Sequence, residues 1–117
     1  MLFTFSPIRA SLFRAPHSLA ERAWLRQELG VHFGSAPQIA DGFFLRSWKS
    51  GPEKGKPKLP PAAHSMLNRG LIEVRPGRIG YTAFLTEAGI AALGQLVLDG
   101  RAMDPARFGH LREQLGL

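Results

Sequence analysis

Residues 59–93, LPPAAHSMLNRGLIEVRPGRIGYTAFLTEAGIAAL, read as a short helix, a β-hairpin and the start of a second helix in direct succession. Pro60 and Pro61 suit the first turn of a helix, where a missing N–H loses no needed bond, and Gly70 suits the left-handed residue that ends one. The stretch 60–70 is therefore expected to be helical, with Ala63, Met66 and Leu67 inward and Ala62, His64, Ser65, Asn68 and Arg69 toward solvent. Leu71, Ile72 and Val74 are strand formers, and Pro76-Gly77-Arg78 is turn-like. Ile79, Tyr81, Ala83 and Leu85 then return the chain to Thr86, an N-cap candidate. A hairpin over 71–85 and helices over 86–115 follow.

Outward from this stretch the signals are more mixed. Ser18-Leu-Ala-Glu21 is a capping-box pattern, so a helix should run from there to Gly30 with Ala20, Trp24, Leu25 and Leu29 as its apolar face and Glu21 and Glu28 solvated. Val31-His32-Phe33 is a short strand candidate. Residues 38–48 allow two readings. One is a helix entered at Ser35-Ala36-Pro37; the other is a turn at Asp41-Gly42 followed by an aromatic strand from Phe43 to Trp48. Residues 49–59, KSGPEKGKPKL, form a polar basic loop, and Asp104-Pro105 opens a last helix with Phe108, Leu111 and Leu115 on one side. The first 17 residues read as an irregular arm. It holds a possible short helix at Ile8–Phe13, apolar anchors such as Phe3 and Phe5, and arginines and serines of the kind also found in organelle transit peptides.

The 117 residues are enough for a single ordinary domain, and with 44% hydrophobic content the chain is expected to fold. It has no cysteine, so neither a disulfide framework nor a thiolate metal site is available, and a cytoplasmic, non-membrane protein is expected. The net charge of +6 is concentrated: residues 46–78 hold eight Lys/Arg against two acids, while the flanking segments nearly balance. That block contains Arg46, Lys49, Lys54, Lys56, Lys58, Arg69, Arg75 and Arg78, and a polyanion should be met there.

Met66-Leu67-Asn68-Arg69-Gly70-Leu71-Ile72 and Leu85-Thr86-Glu87-Ala88-Gly89 resemble the helix-to-strand junction and the post-wing helix entry of the winged helix-turn-helix domain of MarR-like bacterial regulators. The resemblance covers residues 63–93. It implies an α+β, mainly α fold: a winged helix-turn-helix with a short β-hairpin wing and additional N- and C-terminal helices. It also implies double-stranded DNA as partner, with 60–70 as recognition helix. His64, Ser65, Asn68 and Arg69 would then face the groove, where asparagine suits adenine and arginine guanine. Arg75 and Arg78 beside the wing turn, together with Arg46, Lys49, Lys54, Lys56 and Lys58, would meet phosphates. The gap from Trp48 to Pro60 is longer than a helix-turn-helix turn, which leaves a winged-helix protein-association module as the alternative. Regulators of this kind often pair through terminal helices, so a homodimer is also expected.

Catalytic patterns are weak. The histidines His17, His32, His64 and His110 are dispersed, without a metalloprotease spacing. Ser18 and Ser65 follow histidines directly, but neighbours on a helix do not face each other, and no nucleophile-elbow glycines surround them. Gly51-Pro-Glu-Lys-Gly55-Lys56-Pro57 lacks the spacing and the Ser/Thr of a phosphate-binding loop. No enzyme activity and no cofactor are expected. Phe33, Phe43, Phe44, Trp24, Trp48 and Phe84 are expected in the core, Trp48 being the one candidate for stacking on a base.

Overall fold

A computed structural model describes residues 17–117; the expected arm and its Ile8–Phe13 helix lie outside the described residues. Helix α1 (Leu19–Leu29) begins at a complete capping box, in which Glu21 N–H donates to Ser18 Oγ (3.1 Å) and Ser18 N–H to Glu21 Oε1 (2.9 Å). Its buried residues are Glu21, Leu25 and Leu29, so the glutamate expected in solvent lies inside while Ala20 is exposed. The segment after α1 is a turn bridged between His32 and Ser35 rather than a strand.

The ambiguity over 38–48 resolves as turn and strand. A single 3-10 turn (Ile39–Asp41) is closed by Gly42 N–H on Ile39 O (3.1 Å), and strand β1 (Phe43–Leu45) follows. Helix α2 (Pro61–Asn68) buries Ala62, Ala63 and Met66; Ala62 thus joins the inner face, and Leu67 is only half-buried. Between β1 and α2 no described residue is helical.

Strands β2 (Ile72–Gly77) and β3 (Gly80–Leu85) form the hairpin, and β1 adds to β3, giving an antiparallel sheet of order β1-β3-β2. Pro76 and Gly77 belong to β2, so the turn is Arg78-Ile79 and not Pro76-Gly77-Arg78. Two local facts explain the shift. Proline is tolerated because β2 is an edge strand, and the glycine with positive φ (+119°) is Gly80, where a Cβ would stand 2.7 Å from Leu45 O. Register puts Phe43, Leu45, Ile72, Val74, Ala83 and Leu85 on the inner face, and Phe44, Glu73, Arg75, Thr82 and Phe84 on the outer.

Helix α3 (Glu87–Leu98) is capped by Thr86, whose hydroxyl accepts from Gly89 N–H (3.1 Å), and buries Leu93, Leu96 and Val97. The expected last helix is two, α4 (Pro105–Phe108) and α5 (His110–Leu115), divided at Gly109. Phe108 and Leu111 complete the core, which joins both ends of the described chain to the sheet's inner face. Each such side chain contributes about 1.5–3 kcal/mol of burial. Polar ties reinforce this docking: Gln114 Oε1 accepts from Ile39 N–H (2.7 Å), and Val31 N–H donates to Arg107 O (3.0 Å). Of the apolar residues of α5, Leu111 is buried and Leu115 half-buried against this core. The described residues form an α+β unit of five helices and a three-stranded antiparallel sheet.

Candidate nucleic-acid interface

Residues 46–58 lack regular secondary structure, as their glycines, prolines and lysines demand, but they are tightly organised. Lys58 N–H donates to Arg46 O (2.7 Å), Trp48 N–H to Lys56 O (2.9 Å) and Gly55 N–H to Trp48 O (2.9 Å), so the segment folds into a lobe that prolongs β1. The Tyr81 hydroxyl of β3 donates to Gly55 O (2.5 Å) and fastens the lobe to the sheet. Backbone bonding of this kind leaves the side chains outside, and Lys49, Lys54, Lys56 and Lys58 are all exposed.

Their surroundings differ. Lys56 pairs with Glu53 (3.0 Å), an exposed bridge of little net worth, and the Lys58 ammonium lies 4.8 Å from the Trp48 ring centroid. Arg75 pairs with Glu73 and lies over the Phe84 ring, which holds it against the outer sheet face. Arg46, Lys49 and Arg78 have no ion pair among the described residues, and they line one cleft of about 580 Å³ together with Phe44, Ser47, Ile79 and Gly80. Two distant segments meet there because β1 pairs with β3, which places the end of β1 beside the β2–β3 turn.

Phe44 and Arg46 also line a neighbouring cleft of about 550 Å³, with Trp24, Trp48, Lys58 and Glu28 among its walls. Burial pushes the Glu28 carboxyl in that cleft above its ordinary range. Phe44 is 60% exposed, Trp48 41% and Ile79 82%; Phe44 is not core because β1 alternates, Phe43 in and Phe44 out, and Trp48 is not core because it stands in the lobe beyond the end of β1. Phe33, at 95%, is likewise outside.

The four side chains expected to read bases separate into two pairs. His64 and Asn68 are exposed and lie one turn apart, with Asn68 Nδ2 3.3 Å from His64 Nδ1. Ser65 and Arg69 turn instead toward α1. The Ser65 hydroxyl donates to Glu21 Oε2 (2.6 Å) and Arg69 to Glu21 Oε1 (2.5 Å), the guanidinium side chain remaining 44% exposed and the glutamate 0%. Burial alone would raise the Glu21 carboxyl, yet the hydrogen bonds from Ser65, Ser18 N–H and Arg69, with the arginine's charge, hold it below the ordinary carboxylate range. Ser65 and Arg69 therefore join α2 to α1. The demand was invisible in sequence, since the capping pattern announces Glu21 as a cap but not which distant groups bond its two oxygens.

Neither protein-family models, curated proteins nor solved structures show a match to this chain. Among the described residues, no three His, Cys, Asp or Glu side chains gather as a metal site, and no helix is long and apolar enough to cross a membrane.

Proposed function

We propose that this chain is a DNA-binding protein of the winged-helix kind, in which duplex phosphates are held mainly by the lobe at 46–58 and the β2–β3 turn. The observation that carries the reading is the meeting of Arg46, Lys49 and Arg78 around one cleft without ion-pair partners among the described residues. Uncompensated cations brought together from separate segments create the focused positive field that a polyanion requires. The order α1-β1-α2-β2-β3, with a hairpin directly after α2, supports a winged architecture. The lobe replaces the helix that would ordinarily precede α2, so α2 approaches DNA as a partner of the lobe, through His64 and Asn68. Ser65 and Arg69 serve the α1–α2 contact. A second reading, association with an acidic protein segment, draws on the exposure of Phe44 and Ile79 beside the same cations.

Fluorescence anisotropy with mixed-sequence duplex DNA at low salt tests this. Arg46→Ala/Lys49→Ala/Arg78→Ala is expected to weaken binding at least about tenfold on every sequence, as loss of phosphate contacts does. His64→Ala/Asn68→Ala is expected to alter discrimination between sequences more than affinity for mixed DNA. Absence of duplex binding at low salt, with retention of an acidic peptide, selects the second reading.

A further inference from the structure

The outer end of the sheet presents aromatic surface interleaved with cations. Phe44 separates two clefts, sharing one wall with Arg46, Lys49, Arg78 and Ile79 and the other with Trp48 and Lys58. The Phe44 ring packs against the backbone at Gly80: a Cβ there would fall 3.3 and 3.4 Å from two of its ring carbons, and the positive φ (+119°) and Leu45 O at 2.7 Å keep this position a glycine. An aromatic held at its edge by backbone and 60% exposed is a firm platform rather than a stray surface side chain. Paired bases within a duplex hide their faces in the stack and cannot use such a platform. Unpaired bases can, and a backbone that delivers them carries phosphates for the flanking cations.

We propose that this strip takes single-stranded DNA: unstacked bases on Phe44 and Trp48, and their phosphates on Arg46, Lys49 and Arg78. The inference rests on the nucleic-acid reading of the same cations and sharpens it, since the preferred ligand becomes a duplex with a single-stranded end. The lobe supplies the shape. Its attachment through Tyr81 to Gly55 fixes Trp48 relative to β3, so both aromatic rings belong to one framework.

Anisotropy is measured with oligo-dT of about 12 nucleotides, with a blunt duplex, and with the same duplex carrying a dT overhang. Quenching of Trp48 is followed in a Trp24→Phe background. The overhang is expected to bind tighter than the blunt duplex, and oligo-dT to quench Trp48. Phe44→Leu should lower oligo-dT affinity about 5- to 100-fold, Phe44→Tyr should restore it, and neither should change blunt-duplex binding. Equal affinity for blunt and overhung duplexes, or an unchanged oligo-dT affinity in Phe44→Leu, overturns the single-strand site while the duplex reading stands. Binding of oligo-dT without binding of blunt duplex does the reverse, and no binding of any of the three overturns both.

Discussion

Glu21 carries more of this structure than its place in a capping box suggests. It is fully buried, and its two oxygens receive Ser18 N–H, Ser65 and Arg69, so one carboxylate joins the start of α1 to two turns of α2. Beside it, His17 is 2% exposed, with both ring nitrogens lacking a hydrogen-bond partner among the described residues. Burial lowers the His17 pKa first; the Glu21 charge opposes this, and Arg69 and Arg22 add to it. The signs then define two acid windows. The folded state refuses the His17 proton that the unfolded chain accepts, so stability is expected to decline as pH falls below about 6.5, the ordinary value. Glu21, with a folded pKa below its ordinary 4.5, contributes stability that is present above that value and lost as pH falls through the lowered one. Urea midpoints measured across this range should show both losses. His17→Phe should abolish the upper one and Glu21→Gln the lower, while Glu21→Ala should cost about 2–3 kcal/mol at neutral pH by leaving Ser65 and a partly buried cation without the carboxylate.

Between elements, the decisive contact is the seam where the α2–β2 junction meets the start of α3. Thr86 N–H donates to Leu71 O (3.0 Å) and the Thr86 hydroxyl to Gly70 O (2.6 Å), while a Cβ on Gly89 would stand 1.9 Å from Leu71 O. Because the obstructing atom is backbone, no side-chain rotation relieves the clash. Gly89→Ala is expected to destabilise by about 3 kcal/mol or more, in urea melts. Gly94, in the same helix, has nothing within 4 Å of an added Cβ, so Gly94→Ala should stabilise by about 0.5–1 kcal/mol and serves as the contrast. Elements bounded by local chemistry were legible in sequence for this reason. Ser18, Pro61 and Thr86 start their helices by bonds or constraints within a few residues, and α1, α2 and α3 begin where those residues stand. The β2–β3 turn falls two residues beyond the turn chemistry of Pro76-Gly77, because pairing with β3 carries those residues into the strand and closes at Gly77 opposite Gly80. The split of the last helix at Gly109 carries no cap or proline signal, for Gly109 keeps right-handed helical angles (φ −60°, ψ −29°) and its N–H still donates to Pro105 O (2.9 Å).

At the scale of the whole molecule, sequence located the positive charge but could not say which cations stay available. Charge density over residues 46–78 is a property of composition, whereas pairing depends on what the fold sets opposite each side chain. Arg69 meets Glu21, Arg75 meets Glu73 and Lys56 meets Glu53, which divides eight cations of similar appearance into engaged and open groups. The division has a thermodynamic signature. Each phosphate neutralised by an open cation releases a counterion and steepens the fall of log K with log salt by about 0.9 for B-DNA. Removing Arg46, Lys49 and Arg78 together should therefore reduce the slope for blunt duplex by about 2.7. Arg75→Ala should change it far less, because its Glu73 partner already offsets the charge and is left behind, making the surface more negative without deleting a phosphate contact. A titration of duplex affinity over about 50–200 mM salt separates these cases. Slopes altered equally by Arg75→Ala and by each member of the Arg46, Lys49, Arg78 group would mean that the bound polyanion responds to net charge alone, and that the cleft has no privileged part in holding it.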